Sequence, residues 1–315
     1  MITGGAGFIG SNIAHALAER GDDVIVFDNF SSGRRENLAG LGKNVRVVEG
    51  DIRRHAELAS AMNGVEFVLH QAAVPSVPRS VDDPRASHEN NALGTLNVLL
   101  AARERGVKRV VFAASSSAYG ESPSLPKVET MNPAPKSPYA ADKLYGENLC
   151  SVFWSNYKLE TVCLRYFNIF GPRQRPDSDY AAAIPRFITR LLDGKRPTVY
   201  GDGEQSRDFT YVENAVQANI LAMTAPHAAG EVVNIGIGER ITLNKLIATV
   251  AEILGVPSDI DYAPARIGDV RHSLAAIEKA EAILGYRPAV DLKAGLERTI
   301  AWFREGRVPP VETRR

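Results

Sequence analysis

Cysteine is nearly absent: Cys150 and Cys163 are the only two among 315 residues. A disulfide framework is therefore not expected, and both thiols read as ordinary buried side chains. Long apolar runs are missing too. No window reaches the roughly 18 uninterrupted apolar residues that a membrane-spanning helix needs, and the start lacks a charged segment followed by an apolar stretch and a cleavage site. No membrane partner and no secretory leader are expected, and the cytoplasm is the default location. Net charge is absent as well, since 37 basic and 37 acidic residues cancel. With no long basic run, nothing electrostatic points to nucleic acid or an anionic surface, although a small anionic ligand needs only two or three local arginines. The histidines at 15, 55, 70, 88, 227 and 272 show no metal-ligand spacing with cysteine or one another, so no metal site is expected. Internal repeats and low-complexity segments are missing.

What is present is alternation. The β-rich runs "DDVIVFDN", "VRVVEGD", "EFVLHQAA", "RVVFAAS" and "TVCLRYFN" are each followed by a longer segment of mixed polarity. Strand, helix, strand in that order gives parallel strands with crossover helices. The strands are nearly continuous apolar runs, as a sheet covered on both faces requires. The fold class expected is α/β, a doubly wound Rossmann sheet with a smaller C-terminal α/β substrate lobe. Residues 1–169 form the dinucleotide domain, to which 208–236 return, and 170–207 with 237–315 form the lobe. One helix is expected from about Pro84 to Glu104 with Ala92, Leu96, Leu99 and Leu100 on its apolar face. A second, from about Tyr139 to Tyr157, carries Leu144, Leu149, Val152 and Phe153. Paired across a two-fold axis, the two would make a homodimer; burial within one chain would leave the same pattern.

The first ten residues, "MITGGAGFIG", satisfy G-x-G-x-x-G. The glycines allow a tight turn, Gly7 lets backbone approach a pyrophosphate, and Gly10 lets the following helix pack closely with its amides facing the anion. Asp28 closes "VIVFD" at the distance where a carboxylate accepts from an adenosine ribose. An aspartate there repels a 2′-phosphate, so NAD is expected rather than NADP, with Arg34 and Arg35 close behind. Asp51 and Ile52 would flank the adenine, and Gln71, Ala72 and Ala73 supply small residues where the chain passes the cofactor. Only Met1 to Thr3 precede the glycines. They are expected to be a stub of the central strand, which means either a start a few codons late or a chain that tolerates a short strand there.

"SPYAADKLYGEN" puts Tyr139 and Lys143 four residues apart, on one helix face. Bringing a tyrosine from its reference pKa near 10 to neutrality requires about 4 kcal/mol of phenolate stabilisation. A lysine ammonium about 4 Å away supplies that amount at an effective dielectric near 20. Ser115, Ser116 and Ser117 follow a strand and offer hydroxyls to relay a proton or orient a substrate.

The motifs "TGGAGFIGS", "FDN", "GDI", "NNALGT", "SSSAYG", "YAADK" and "RYFNIFGPRQ" resemble, in order and over nearly the whole chain, the extended short-chain dehydrogenase/reductases, specifically their nucleotide-sugar 4-epimerases. The resemblance implies Tyr139 as base, Lys143 as the pKa-lowering, ribose-binding lysine and Ser115 as the third catalytic residue. It implies NAD held by Gly4, Gly7, Phe8, Ile9, Gly10, Asp28, Asn29, Ser32, Gly33, Asp51, Ile52, Gln71, Ala72, Ala73, Asn91, Tyr139, Lys143 and Tyr166. Ser117 and Asn168 would face the sugar, and Arg207 with Arg266 would grip a diphosphate through paired donors. Ser273 stands where epimerases restricted to glucose and galactose carry a bulky aromatic, which leaves room for an N-acetyl group. The implied reaction is redox-neutral interconversion of UDP-N-acetylglucosamine and UDP-N-acetylgalactosamine through a 4-keto sugar. A dehydratase or decarboxylase of the same family would start with the same oxidation. A dehydratase, though, would carry an Asp-Glu pair where Ser116 and Ser117 stand. The same motifs would also suit an epimerase for unmodified UDP-glucose or a non-catalytic NAD-binding regulator.

Overall fold

The structure, a computed structural model, describes residues 1–176, 182–265 and 270–306. Its first half runs β1 (Ile2–Thr3), α1 (Phe8–Glu19), β2 (Val24–Asp28), β3 (Val45–Glu49), α2 (His55–Ala61), β4 (Phe67–His70), α3 (Val77–Asp82) and α4 (Pro84–His88). It continues with α5 (Gly94–Glu104), β5 (Arg109–Ser115), α6 (Pro138–Tyr157), β6 (Glu160–Tyr166) and β7 (Ile169–Phe170). The rest comprises α7 (Ala183–Leu192), β8 (Thr198–Tyr200), β9 (Ser206–Arg207), β10 (Thr210–Tyr211), α8 (Val212–Thr224) and β11 (Val232–Ile235). It ends with β12 (Ile241–Thr242), α9 (Leu243–Leu254), β13 (Asp261–Ala263), α10 (Glu278–Leu284) and α11 (Leu292–Arg304).

Seven strands form one parallel sheet in the order β11-β6-β5-β4-β1-β2-β3. This is the doubly wound Rossmann arrangement, and it puts the strand before the glycines at the centre. The two residues of that strand are tied to the neighbouring strands on both sides. The Met1 α-amino group donates to the Phe67 carbonyl at 2.8 Å, Leu69 N–H to Met1, Gly4 N–H to Phe27 and Gln71 N–H to Thr3. Burial pushes the Met1 amine down to about 5.

Alternation along β5 explains why both sheet faces need cover. Val111 and Ala113 join α1 and α8 in one core, built around Ile13, Leu17, Ala215 and Ala218. Val110, Phe112 and Ala114 join α2, α5 and α6 in the other, around Leu58, Leu99, Cys150 and Phe153. A third core, with Phe187, Ile188, Leu246, Val250 and Ile300, belongs to α7, α9 and α11. Among the described residues no helix is long and apolar enough to cross a membrane.

Two expectations about helices need correction. The segment from Pro84 to Glu104 is not one α-helix: residues 89–93 form a π-helical turn between α4 and α5. That turn widens the helix where Asn91 points back at the loop after β4, a common use of such bulges near functional sites. Val152 is not buried on α6 but 43% exposed, as are Tyr145 at 42% and Tyr157 at 45%. Helical spacing locates the apolar residues, yet within this chain the layer over the sheet covers only part of that stripe.

Candidate active site

The turn after β1 is shaped by close contacts that only glycine permits. Gly4 adopts φ +67°, and a Cβ on it would fall 2.6 Å from the Ala72 backbone. A Cβ on Gly10 would fall 2.2 Å from the Gly4 carbonyl oxygen. On Gly7 it would meet only that oxygen, at 3.1 Å, so Gly7 faces open space. Helix α1 therefore starts tightly against the turn, capped by no side chain and with no acidic residue in its first turn. In contrast α3, α4, α6, α9 and α11 all begin on a Ser, Asp or Thr side-chain cap. First-turn amides left without an acceptor suit an anion such as a pyrophosphate. Phe8 and Ile9 supply two of those amides while their side chains pack into the lobe and sheet cores.

Asp28, buried at the end of β2, accepts from Ala6 N–H at 2.9 Å and Phe30 N–H at 2.8 Å. Each carboxylate oxygen keeps acceptor capacity for a ribose. Burial raises the Asp28 pKa and the two amides oppose that rise. Gly33 runs directly over the carboxylate, where a Cβ would lie 2.9 Å from both oxygens; Ser32 beside it is exposed. Asn29 donates to Asp51 at 3.1 Å, and the Arg53 guanidinium holds the Asp51 carboxyl well below the usual carboxylate range. Ile52 is buried, and Asn97 from α5 fixes its carbonyl at 3.0 Å.

Beyond β4, Gln71, Ala72 and Ala73 follow the C-terminal end of that central strand. Gln71 is locked in a triangle with Tyr166 and Asn219: Tyr166 donates to Gln71 at 3.2 Å, Asn219 to Tyr166 at 2.6 Å and Gln71 to Asn219 at 3.0 Å. Burial pushes the Tyr166 hydroxyl up to about 12, so it stays a donor. The Asn91 side chain is spent on Val74, accepting from its N–H at 2.8 Å and donating to its carbonyl at 3.3 Å. It shapes the pocket through that loop.

Register brings Ser115 opposite Tyr166. Ser115 accepts from Ser117 N–H at 3.2 Å and from the Ser117 hydroxyl at 2.8 Å. Tyr139 enters at the start of α6, which Ser137 caps and Pro138 opens. Its hydroxyl faces that of Ser115, which pulls its pKa down. Lys143, one turn on, is 3% exposed and donates to the Ala113 carbonyl at 2.8 Å. Here the expected electrostatics fail. Burial raises the Tyr139 pKa above 10.0, with only Ser115 pulling it back, and desolvation lowers Lys143 to about 8. The lysine ammonium is directed at a backbone carbonyl rather than at the phenol. Asp142 and Glu147 counteract the loss of the lysine proton. Asp142 is itself held by Ser87 at 2.7 Å and His88 at 2.9 Å.

Across the cleft Asn168, at φ +37°, donates to the Asp208 carbonyl at 2.9 Å and to the Ser273 hydroxyl at 3.3 Å. Asp208, fully buried, accepts from the amides of Ile237, Gly238 and Ala275; burial still raises it to about 6. Arg207 rests its guanidinium on the Ser206 and Arg271 carbonyls at 3.0 Å. Arg266 lies outside the described residues. Sequence reasoning misses Asn219, Asn97 and Asp208. The only signal for Asn219 is an amide, two residues after Gln217, among apolar residues in "AVQANILAM".

The profile described as the NAD dependent epimerase/dehydratase family matches residues 1–236. The UDP-glucose 4-epimerase of Mycolicibacterium smegmatis is 36% identical over 309 residues, covering 96% of this chain and 98% of its own. The structure of UDP-N-acetylglucosamine 4-epimerase from Methanobrevibacter ruminantium in complex with UDP-N-acetylmuramic acid superposes with a TM-score of 0.93 at 40% identity, covering 97% of each chain. That of UDP-glucose 4-epimerase from Thermotoga maritima with UDP-glucose gives 0.92 at 39% identity, over 97% of this chain and 98% of that one.

Proposed function

Since the chain belongs to the NAD dependent epimerase/dehydratase family, we propose that it interconverts UDP-N-acetylglucosamine and UDP-N-acetylgalactosamine. At the coarser level it is an isomerase, an NAD-dependent UDP-sugar 4-epimerase. The observation that carries the assignment is the meeting of Ser115, Tyr139 and Lys143 at the strand ends, beside a helix N-terminus left open for an anion. Residues 1–169 with 208–236 would hold the cofactor, and 170–207 with 237–315 the nucleotide sugar. The division is supported by β11 pairing with β6 and by the separate core around α7, α9 and α11.

Bound NAD supplies an acceptor that takes a hydride from the sugar and later returns it. The residues of the chain manage the proton and the pose. Tyr139 as phenolate would take the 4-hydroxyl proton while Ser115 steadies that oxygen, leaving a 4-keto sugar. Tyr139 returns the proton once the sugar has turned its other face. Arg207, with Arg266, would hold the diphosphate during that turn.

The N-acetyl preference rests on Ser273, whose small side chain lies against Asn168. Ser273→Tyr is expected to cut kcat/KM on UDP-N-acetylglucosamine by at least about tenfold, from overpacking at the sugar, and to leave UDP-glucose turnover largely intact. Steady-state kinetics on both substrates measure this. Equal losses on both would remove Ser273 as the discriminator.

Tyr145 and Val152, exposed seven residues apart on one face of α6, with Leu93 and Val81 nearby, support a homodimer through this face. Val152→Glu should turn a dimer into a monomer in light scattering. A wild-type monomer at micromolar concentration would exclude the dimer.

A further inference from the structure

His70 closes β4 at 1% exposure, and it takes no part in the chemistry of Ser115, Tyr139 and Lys143. Its Nδ1 lies 2.7 Å from the Thr3 hydroxyl and its Nε2 3.0 Å from the Thr95 hydroxyl. Hydrogen-bond polarity fixes the tautomer. Thr95 owns one hydroxyl proton and gives it to the Asn91 carbonyl at 2.5 Å, so toward the ring it can only accept. Nε2 therefore carries the proton. A second ring proton is disfavoured by burial and by the nearby Lys143 charge. Nδ1 is thus a bare lone pair and accepts from Thr3. The Thr3 oxygen in turn accepts from Ala72 N–H at 3.5 Å.

We propose that His70, as the neutral Nε2–H tautomer, is a positioning residue that clamps the loop Gln71–Val74 to the glycine turn. The clamp is a one-way chain of hydrogen bonds: Ala72 amide to Thr3, Thr3 to His70, His70 to Thr95, Thr95 to the Asn91 carbonyl. Its far end meets the Asn91 side chain, which grips Val74 at both N–H and carbonyl. The loop is thereby held at two points, while Gly4 and Ala72 backbones touch. Neutrality also matters to the lysine. Phe112 sits between them, 5.5 Å from the imidazole and 4.9 Å from Lys143 Nζ by ring centroid, so a charged ring would repel the ammonium. The inference rests on the reading that NAD lies against residues 4–10 and 71–74. A loop ordered in advance spares binding the cost of ordering it.

Two measurements test this. Nitrogen-15 NMR of the histidine ring in the wild-type protein should show a neutral imidazole protonated at Nε2 across the neutral pH range. A protonated Nδ1 or an imidazolium would overturn the proposal, whatever the reaction. Then His70→Leu, which leaves the Thr3 hydroxyl proton without its acceptor and takes the ring donor from Thr95, should weaken NAD binding by about tenfold in titrations of cofactor-free protein. His70→Gln, which keeps one acceptor and one donor, should restore it to within about threefold. A His70→Leu protein that melts earlier yet binds NAD like wild type would reduce His70 to a structural residue and contradict the proposal. If His70→Leu does not fold, the ring spectrum and His70→Gln decide. Wild-type protein that bound no NAD would instead refute the cofactor reading, a separate failure.

Discussion

Tyr139→Phe is expected to lower kcat by between about a hundredfold and ten-thousandfold, the range general acid–base groups supply, with NAD still bound. The removed atom is the Tyr139 hydroxyl oxygen, which faces Ser115; no backbone contact is lost. The state of that hydroxyl gives the expectation a pH signature. In the protein alone, burial pushes the phenol's pKa up and only Ser115 opposes it. A positive charge about 6 Å away, at an effective dielectric near 20, contributes about 3 kcal/mol, or about two pKa units downward. The oxidised nicotinamide ring is such a charge. A cation that lowers the phenol pKa must bind more tightly as pH rises toward the pKa of the free protein, releasing a proton as it does so. Calorimetric titration of NAD in buffers of differing ionisation heat should detect the proton, and Tyr139→Phe should abolish it. Equal proton release in the variant would place the titrating group elsewhere.

Behind the site lies the second large effect. Glu147, one turn beyond Lys143 on α6, accepts from the Arg165 guanidinium at 2.7 and 2.9 Å, and both side chains are under 5% exposed. Arg165 precedes Tyr166 on β6 and lies 4.6 Å over the Tyr119 ring. Glu147→Gln leaves a buried guanidinium without its counter-charge and is expected to cost about 3–5 kcal/mol of stability. The double variant Glu147→Leu with Arg165→Met removes both charges and should lose much less. Urea denaturation of the three proteins provides the test. If the single and double variants were equally destabilised, packing rather than charge would dominate at this junction.

The parts of this molecule readable in the sequence are those whose geometry is local. Gly4, Gly7 and Gly10 with Asp28 mark one strand, turn and helix, and the structure shows which backbone atoms each glycine admits. Tyr139 and Lys143 share a helix face because 3.6 residues make a turn, and the doubly wound order follows from the alternation of strand and helix. What stays hidden depends on residues far apart in the chain. Asn219 reaches Tyr166 across 53 positions and Gln71 across 148. Asp208 collects amides from near residues 237 and 275. The direction of the Tyr139 shift runs against the expectation for a related reason: spacing reveals that a lysine is near, but burial and the Ala113 carbonyl decide where its charge is spent. The π-turn around Asn91 likewise leaves no periodic trace, since it displaces the helix by a single residue.

The reaction expected of this protein is inversion at one sugar carbon with no net redox change. Purified protein with NAD should be incubated separately with UDP-N-acetylglucosamine and UDP-glucose, and the products followed by proton NMR and mass. UDP-N-acetylglucosamine is expected to equilibrate with its 4-epimer at unchanged mass. A product lighter by water or carbon dioxide, or no equilibration of either sugar with NAD bound, would contradict that expectation.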